Sequence, residues 1–409
     1  MNLYSKRRQN VLTRMDDNSI LLLFSGKAIA KSEDECYDFD VNRNFYYLTG
    51  LEKEDMVLML GKNNGKISES LFILPYDEYL ARWVGGRMSK QEATDISDIK
   101  IVCDRDELDD TVARIIERSR GKDFKLYFDF WHYSYDQRSS EATKYAVDLK
   151  AKYPYLPMID IFPILTSLRM VKDEYEVAYI KKAISITNLG IRKMMRNIKP
   201  ELNEMVMEGV FDFVLKENLC NKNAFKTIAA SGHRATILHY STNNQVMKNG
   251  ELFLCDLGAT YKNYCADISR TFPVNGKFSK RQREIYEMVL HAQKIVVDHA
   301  KAGVTLRELN KMVVDYYRDE LPKHGLNKGV NEYYFHSVSH HLGLDTHDVS
   351  MDEPLRPGCV ITNEPGLYIT DESIGIRIED DLLIKENGCE VLSKDIIKEV
   401  DDIESFMDR

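Results

Sequence analysis

Short apolar runs alternate with amphipathic segments over the first 165 residues of the chain. Compact apolar runs are typical of buried strands, whereas apolar positions that recur every three or four residues are typical of helices. The runs predict strands at residues 19–24, 56–60, 70–74, 125–130 and 158–162. Helical spacing predicts helices at residues 107–117 and 140–152. Strands that alternate with helices favour an α/β domain with helices on the faces of a sheet.

The pattern changes after Pro163, where longer helical segments begin. Residues 172–196 have apolar positions at helical spacing over several turns, and the acidic Asp173, Glu174 and Glu176 suit the positive end of the helix dipole. Further helices are predicted at residues 201–219, 280–301 and 306–324, and strand-rich segments at 251–272, 359–370 and 375–385. The sequence therefore predicts a first domain over residues 1–165 and an α+β second domain over residues 172–409.

Composition narrows the choice of partner. With 65 acidic and 56 basic side chains the formal charge is −9, which disfavours nucleic acid or an anionic membrane as the partner. The seven cysteines are dispersed without CxxC spacing, as expected for reduced thiols in the cytoplasm. The basic N-terminal residues are not followed by an apolar run long enough for a signal peptide or a membrane span. We therefore expect a soluble cytoplasmic protein.

Two aspartates flank the centre of a predicted hairpin. In residues 251–272, ELFLCDLGATYKNYCADISRTF, apolar runs surround a turn-like centre at residues 260–263. A symmetric hairpin would set Asp256 and Asp267 directly opposite each other on one face, with Cβ atoms about 4.5–5.5 Å apart. Apolar neighbours such as Leu254 and Ile268 indicate burial, which increases the repulsion between the carboxylates. A shared proton, a cationic side chain or a metal would relieve it, and a solvated surface pair is the alternative.

Histidines cluster in residues 335–348, FHSVSHHLGLDTHD, which contain His336, His340, His341 and His347. Imidazole is the commonest neutral metal ligand and the natural acid–base group near neutral pH. A single histidine is more often structural, but four so close together beside two aspartates favour a functional site. His341, adjacent to His340, is expected to face elsewhere.

Two glutamates occur on the predicted strands near the end of the chain. Glu364 follows residues 360–363 and precedes a Pro-Gly turn. In GIRIED, residues 375–380, Glu379 shares one face with Arg377 while Ile376 and Ile378 share the other. Either glutamate alone is explained by a position at the rim of a sheet or by a salt bridge to Arg377.

Together these segments supply four carboxylates and one imidazole: Asp256, Asp267, His340, Glu364 and Glu379. The set suits Mn²⁺, Co²⁺, Fe²⁺ or Zn²⁺, and it is too rich in oxygen for a typical structural zinc site. Four carboxylates around one ion would leave excess negative charge, so two ions fit better. Two ions can also hold a bridging hydroxide, a strong nucleophile at neutral pH. The sequence thus predicts a two-metal hydrolase.

The order Asp, Asp, His, Glu, Glu resembles the pita-bread metallopeptidases, the family of methionine aminopeptidase, prolidase and aminopeptidase P. The segments that carry the resemblance are CDLGA, ADISRTF, SHHLGLDTHD, TNEPGLYI and GIRIED. Residues 39–52, FDVNRNFYYLTGLE, are similar to the creatinase-type N-terminal domain of the proline-specific members, which methionine aminopeptidases lack. The resemblance covers nearly the whole chain. It implies an α/β creatinase-like N-terminal domain and an α+β pita-bread catalytic domain.

The resemblance also implies roles for the metal ligands. In the family, the residues matching Asp256, Asp267 and Glu379 chelate or bridge both ions, and those matching His340 and Glu364 complete one of them. A metal-bridging hydroxide then attacks the peptide carbonyl, and Glu364 would take the proton of the attacking water and help deliver it to the leaving nitrogen. Creatinase shares the fold but lacks these ligands, so a creatinase-like reaction is disfavoured.

Three further histidines match the active site of the proline-specific branch. SGHRATILHY matches the family segment whose histidine, here His239, lies close to the substrate. His336 and His347 match two more, and the implied roles are to line the pocket with His239 and, for His347, to stabilise the oxyanion. Arg377 is expected to offset carboxylate charge near Glu379.

The leading function is that of an Xaa-Pro aminopeptidase, which releases the N-terminal residue from peptides with proline second. Such bonds lack an amide hydrogen and have restricted geometry, so general peptidases cleave them poorly. A prolidase, specific for Xaa-Pro dipeptides, is the alternative, and a metal-free binding protein on the same fold is disfavoured because all five ligand positions are retained. The expected cofactor is two divalent ions, Mn²⁺ first, with Co²⁺, Zn²⁺ or Fe²⁺ as alternatives. The resemblance implies a homodimer or homotetramer.

Overall fold

The computed structural model describes residues 2–408. The chain divides into two compact units, one ending at Leu168 and the other beginning at Arg169. None of the described helices is long and apolar enough to cross a membrane.

The first unit is built on one mixed six-stranded sheet with the order β4-β3-β2-β1-β5-β6. The central strand β1 pairs antiparallel with β2 and parallel with β5. The strands are β1 Ser19–Phe24, β2 Val57–Asn63, β3 Lys66–Ile73, β4 Val102–Asp104, β5 Lys125–Phe128 and β6 Met158–Asp160. The helices are α1 Leu3–Arg14, α2 Arg43–Thr49, α3 Glu78–Val84, α4 Lys90–Ser97, α5 Leu108–Arg118, α6 Glu141–Lys152 and α7 Phe162–Arg169.

A buried apolar cluster joins the strands of this sheet to helices α5 and α6. Leu22 of β1 and Leu126 of β5 pack with Val112 and Ile116 of α5 and with Ala146 of α6. Apolar residues of α5 recur every four positions, which places them on one buried face. The predicted α/β arrangement is therefore confirmed, although the short edge strand β4 was not predicted.

The second unit contains small antiparallel sheets and long helices. The sheets have the orders β11-β8-β7, β12-β15-β16, β13-β14 and β10-β9. The strands are β7 Ile228–Ser231, β8 Leu252–Leu257, β9 Thr260–Tyr261, β10 Tyr264–Cys265, β11 Ile268–Pro273, β12 Val360–Asn363, β13 Gly366–Ile369, β14 Ile374–Arg377, β15 Asp380–Lys385 and β16 Gly388–Val391. The helices are α8 Glu174–Asn197, α9 Glu204–Glu217, α10 Lys280–His299, α11 Leu306–Glu320, α12 Val330–Tyr333 and α13 Val400–Met407.

The long helices begin and end close to their predicted positions because capping residues define them. The side chain of Asp173 accepts hydrogen bonds from the first turn of α8, and the side chain of Glu176 accepts one from the backbone N–H of Asp173. The predicted helix at residues 306–324 ends earlier, since α11 stops at Glu320 and a 3₁₀ turn follows over Leu321–His324. The α+β prediction for this part of the chain is confirmed.

Candidate metal centre

Strands β8 and β11 form the predicted hairpin, but its register differs from the predicted one. Asp256 pairs with Ser269, two residues beyond Asp267. Direct opposition of the aspartates would need a turn centred between Tyr261 and Lys262, whereas the two turn residues are Lys262 and Asn263, both with positive φ. This turn type is favoured because its twist matches that of the flanking strands. The aspartates are therefore diagonal rather than opposed, and both line one cavity.

Gly258 allows the two strands to approach closely between the aspartates. A Cβ atom at Gly258 would lie 1.8 Å from the backbone carbonyl oxygen of Ala266. No side chain fits at that distance, so only glycine permits this local geometry.

The segment that carries the histidines is fixed against strand β12. The backbone N–H of His340 donates to Oγ1 of Thr362 at 3.0 Å, and the N–H of Thr362 donates to the carbonyl of His340 at 2.9 Å. Nδ1 of His340 lies 3.0 Å from the carbonyl oxygen of His341 and therefore acts as the donor. Nε2 is left as the acceptor, and it faces Asp267 Oδ2 and Glu364 Oε1, each at 3.4 Å. This is the tautomer that a metal-binding histidine needs.

Asp267, His340 and Glu379 offer ligand atoms that all lie within 4.8 Å of one another. Oε2 of Glu379 accepts a hydrogen bond of 2.7 Å from Oγ of Ser269. Burial, followed by the neighbouring carboxylates, raises the pKa of both Asp267 and Glu379 well above its ordinary value. Burial likewise raises the pKa of Glu364 to about 8 and lowers that of His340 to about 3.

Asp256 binds Arg377, which lines the same cavity. Its Oδ2 accepts a hydrogen bond of 2.6 Å from Arg377, whose guanidinium also donates to Ser269 at 2.7 Å and to Tyr368 at 2.9 Å. The other oxygen, Oδ1 of Asp256, is buried and has no hydrogen-bond partner among residues 2–408. Arg377 thus contacts Asp256 directly, and it reaches Glu379 only through Ser269.

The arrangement fits a divalent metal. Four carboxylates, Asp256, Asp267, Glu364 and Glu379, line the cavity with Arg377, and no other arginine lines it among the described residues. Burial and the neighbouring carboxylates raise the pKa of Asp267 and Glu379, so added positive charge would stabilise their ionised forms, and the unpartnered buried oxygen of Asp256 carries a desolvation penalty. A hard divalent cation held by oxygen atoms and one neutral imidazole would satisfy both deficits.

The three remaining predicted histidines, His239, His336 and His347, line the same cavity, which has a volume of about 580 Å³. Nε2 of His336 lies 2.9 Å from the hydroxyl of Tyr368, and burial lowers the pKa of His336 to about 4. The ring of His347 stacks on that of His340 at a centroid separation of 3.9 Å. These three imidazoles therefore share the cavity with the four carboxylates.

His341 is buried outside the cavity that the other predicted histidines line. Its carbonyl accepts the backbone N–H of Asp348, but its ring does not line the cavity. The expectation that it faces elsewhere is confirmed.

Three contacts at the site were not predicted from the sequence. Ser269 joins Glu379 to Arg377, Thr362 donates to Glu364 at 3.3 Å, and Tyr368 connects Arg377 to His336. Ser269 lies two residues after Asp267, which directly precedes β11, so the alternation of faces could have indicated it. The other two hydroxyls carry no comparable signal.

A buried ion cluster anchors the end of the histidine segment. Arg169 donates to Asp345 at 2.9 Å and to Asp348 at 2.5 Å, and Nζ of Lys172 donates to Asp348 at 2.9 Å. Burial alone would raise the pKa of Asp348, but Lys172 and Arg169 outweigh it and lower that pKa to about 2. Asp348 directly follows His347, so these contacts hold the backbone beside the stacked imidazoles.

The sequence of this chain matches the models of two known protein families. The model described as "Metallopeptidase family M24" matches residues 178–386, and that described as "Aminopeptidase P, N-terminal domain" matches residues 4–125. An Xaa-Pro aminopeptidase of Haemophilus influenzae is 32% identical over 427 residues, which cover 99% of this chain and 96% of that protein.

Solved structures of similar proteins match nearly the whole length of this chain. A Bacillus anthracis protein assigned as an aminopeptidase P is 41% identical with a TM-score of 0.96, covering 99% of this chain and 97% of that one. The low-pH form of Escherichia coli aminopeptidase P is 30% identical with a TM-score of 0.91 over the same shares. The chain belongs to metallopeptidase family M24.

Proposed function

We propose that this chain is a metal-dependent aminopeptidase that releases the N-terminal residue from peptides with proline in the second position. The relatives named above carry the name of this activity, and the match to them covers 99% of the chain. The observation that carries the proposal is the convergence of carboxylates and a neutral imidazole from separate segments, with ligand atoms of Asp267, His340 and Glu379 within 4.8 Å.

The proposed ligands are Asp256, Asp267, His340, Glu364 and Glu379, and they would hold two divalent ions, Mn²⁺ first. When bound, such ions polarise a peptide carbonyl and lower the pKa of a water molecule to near neutrality. The unpartnered Oδ1 of Asp256 and the raised pKa values of Asp267 and Glu379 support this assignment. Arg377 would hold Asp256 in place through the 2.6 Å contact.

The chain's own residues would move the protons and orient the substrate. Glu364, within 3.4 Å of His340 and at the cavity wall, would accept the proton of the attacking water and return it to the leaving nitrogen. His347 would stabilise the negative charge that develops on the carbonyl oxygen. His239 and His336 would line the pocket, and the bond from His336 to Tyr368 would fix its imidazole.

Hydrolysis of matched peptides tests the proposed function. The purified protein, stripped with a chelator and reloaded with Mn²⁺, should cleave Ala-Pro-Ala and leave Ala-Ala-Ala largely intact. Cleavage confined to the dipeptide Ala-Pro would replace the proposal with prolidase activity. No turnover of any Xaa-Pro peptide with Mn²⁺, Co²⁺ or Zn²⁺ would refute the enzymatic function and leave a binding protein on this fold.

We further propose that residues 1–165 and 172–409 act as the N-terminal and catalytic domains, in a homodimer or homotetramer in the cytoplasm. The separate family matches at residues 4–125 and 178–386 support the division. Light scattering coupled to size-exclusion chromatography would measure the assembly, and a monomer at micromolar concentration would contradict it.

A further inference from the structure

A bulge in the chain precedes strand β7 on the wall of the cavity. Asn223 bridges to Ala259, and Ile228 pairs with Asp256. The five steps from residue 223 to residue 228 therefore lie opposite only three steps, from residue 256 to residue 259. Bulges occur often beside active sites because the extra residues redirect side chains. The extra residues here include Lys226, which lines the same cavity as the proposed metal ligands.

Lys226 is a cation without an acidic partner in this cavity. Within residues 2–408 it forms no ion pair, although four carboxylates line the same walls. Arg377, which also lines the wall, is buried and bound to Asp256. Lys226 is exposed and stands next to the half-buried Phe225, so an ammonium and an apolar surface lie side by side.

The charges on the proposed substrate determine which part of the peptide can bind to Lys226. The N-terminal amine of a peptide is a cation, and two cations in one cavity repel each other. A negative group of the peptide lies on the other side of the scissile bond, in the leaving part. The neighbouring apolar surface suits a peptide chain that passes along this wall.

We propose that Lys226 is a specificity-determining residue that binds a carboxylate in the leaving part of the peptide. This inference rests on the proposed function. The carboxylate is either the C-terminal α-carboxylate of a short peptide or an acidic side chain downstream of proline. Because the ammonium is exposed, the gain in kcat/KM should be about two- to fivefold, and it should fall at about 0.5 M salt.

Two pairs of peptides distinguish these sources in the Mn²⁺-loaded protein. The first pair is Ala-Pro-Ala and its C-terminal amide, and the second is Ala-Pro-Glu-Ala-amide and Ala-Pro-Gln-Ala-amide. For each pair, the ratio of kcat/KM values is measured in the wild type, Lys226→Met and Lys226→Arg. Lys301→Met is the matched control, because Lys301 is exposed and lies outside the cavity wall.

The wild type should prefer the charged member of at least one pair, Lys226→Met should bring that ratio close to one, and Lys226→Arg should restore it. Preference in the first pair identifies the α-carboxylate, and preference in the second identifies the side chain. A preference that persists in Lys226→Met, or cleavage by the wild type without any preference, overturns the inference and leaves the aminopeptidase proposal intact. Failure to cleave any of these peptides overturns both.

Discussion

Removal of the charge of Lys172 should destabilise the second unit far more than removal of an exposed lysine. Nζ of Lys172 donates to Oδ2 of Asp348 at 2.9 Å, and both side chains are 1% exposed. Lys172→Met keeps most of the length of the side chain and leaves the buried Asp348 carboxylate with Arg169 as its cationic partner. Because Arg169 is shared with Asp345, the buried charge of Asp348 is then only partly compensated, and the native state loses free energy.

The pKa of Asp348 sets the scale of this loss. Its fall from 3.8 to about 2 corresponds to about 2.5 kcal/mol at neutral pH, since one pH unit is worth about 1.4 kcal/mol. This value of about 2.5 kcal/mol is what remains after the penalty for burying Asp348 has been subtracted. The penalty persists in Lys172→Met, so we expect the free energy of unfolding to fall by slightly more, about 3 kcal/mol. Because the folded pKa is lowered, this stability is present above about pH 4 and disappears as the pH falls toward 2.

Differential scanning calorimetry at pH 7 measures the effect. For a unit of this size the unfolding temperature should fall by roughly 6–12 °C in Lys172→Met. The control is Lys181→Met, because Lys181 pairs with Glu390 at the surface, where the side chains are 46% and 41% exposed. Its expected cost is below about 1 kcal/mol. Equal shifts in the two variants would refute the assigned role of the buried cluster.

Two further substitutions test other features of the second unit. Gly258→Ala should lower the free energy of unfolding in urea by about 3 kcal/mol and should lower the affinity for Mn²⁺. The control is Gly209→Ala, where a Cβ meets open space, and it should be neutral or stabilising. Similar stabilities of the two variants would contradict the close approach at Gly258. His324 lies 2.7 Å from Glu284 and 3.1 Å from Glu320, and their hydrogen bonds raise its pKa. His324→Gln should therefore lower stability by up to about 1 kcal/mol below pH 6.5, and the difference should vanish as the pH rises through the raised pKa; a constant difference from pH 5 to pH 9 would contradict it.

The hairpin shows what the sequence could predict at the site and where prediction stopped. The apolar runs around residues 260–263 located the strands, and the symmetry of the hairpin placed Asp256 and Asp267 on one face. In the structure both line one cavity. The register was wrong because it depends on which two residues form the turn. Lys262 and Asn263 both adopt positive φ, and a lysine carries no strong signal for that conformation.

Most of the side-chain contacts that the sequence did not predict join segments that are distant in the chain. Lys172 and Asp348 are 176 positions apart, and Arg377 reaches Asp256 across 121 positions. The helical period around Lys172 indicates a helix start, but no local pattern shows which acidic residue that lysine will meet. The bulge that brings Lys226 onto the cavity wall likewise depends on pairing with β8, which the sequence of residues 223–228 does not reveal.

Asp267 is proposed to help hold the catalytic metal. The most direct measurement is the Mn²⁺ content of Asp267→Asn after reloading, by plasma mass spectrometry, beside its turnover of Ala-Pro-Ala. The matched control is Asp298→Asn, on the exposed face of α10. We predict about two ions and full turnover for the wild type and the control, and a folded Asp267→Asn that loses at least half of the metal and nearly all turnover. Wild-type metal content and turnover in Asp267→Asn would contradict a role of Asp267 in metal binding.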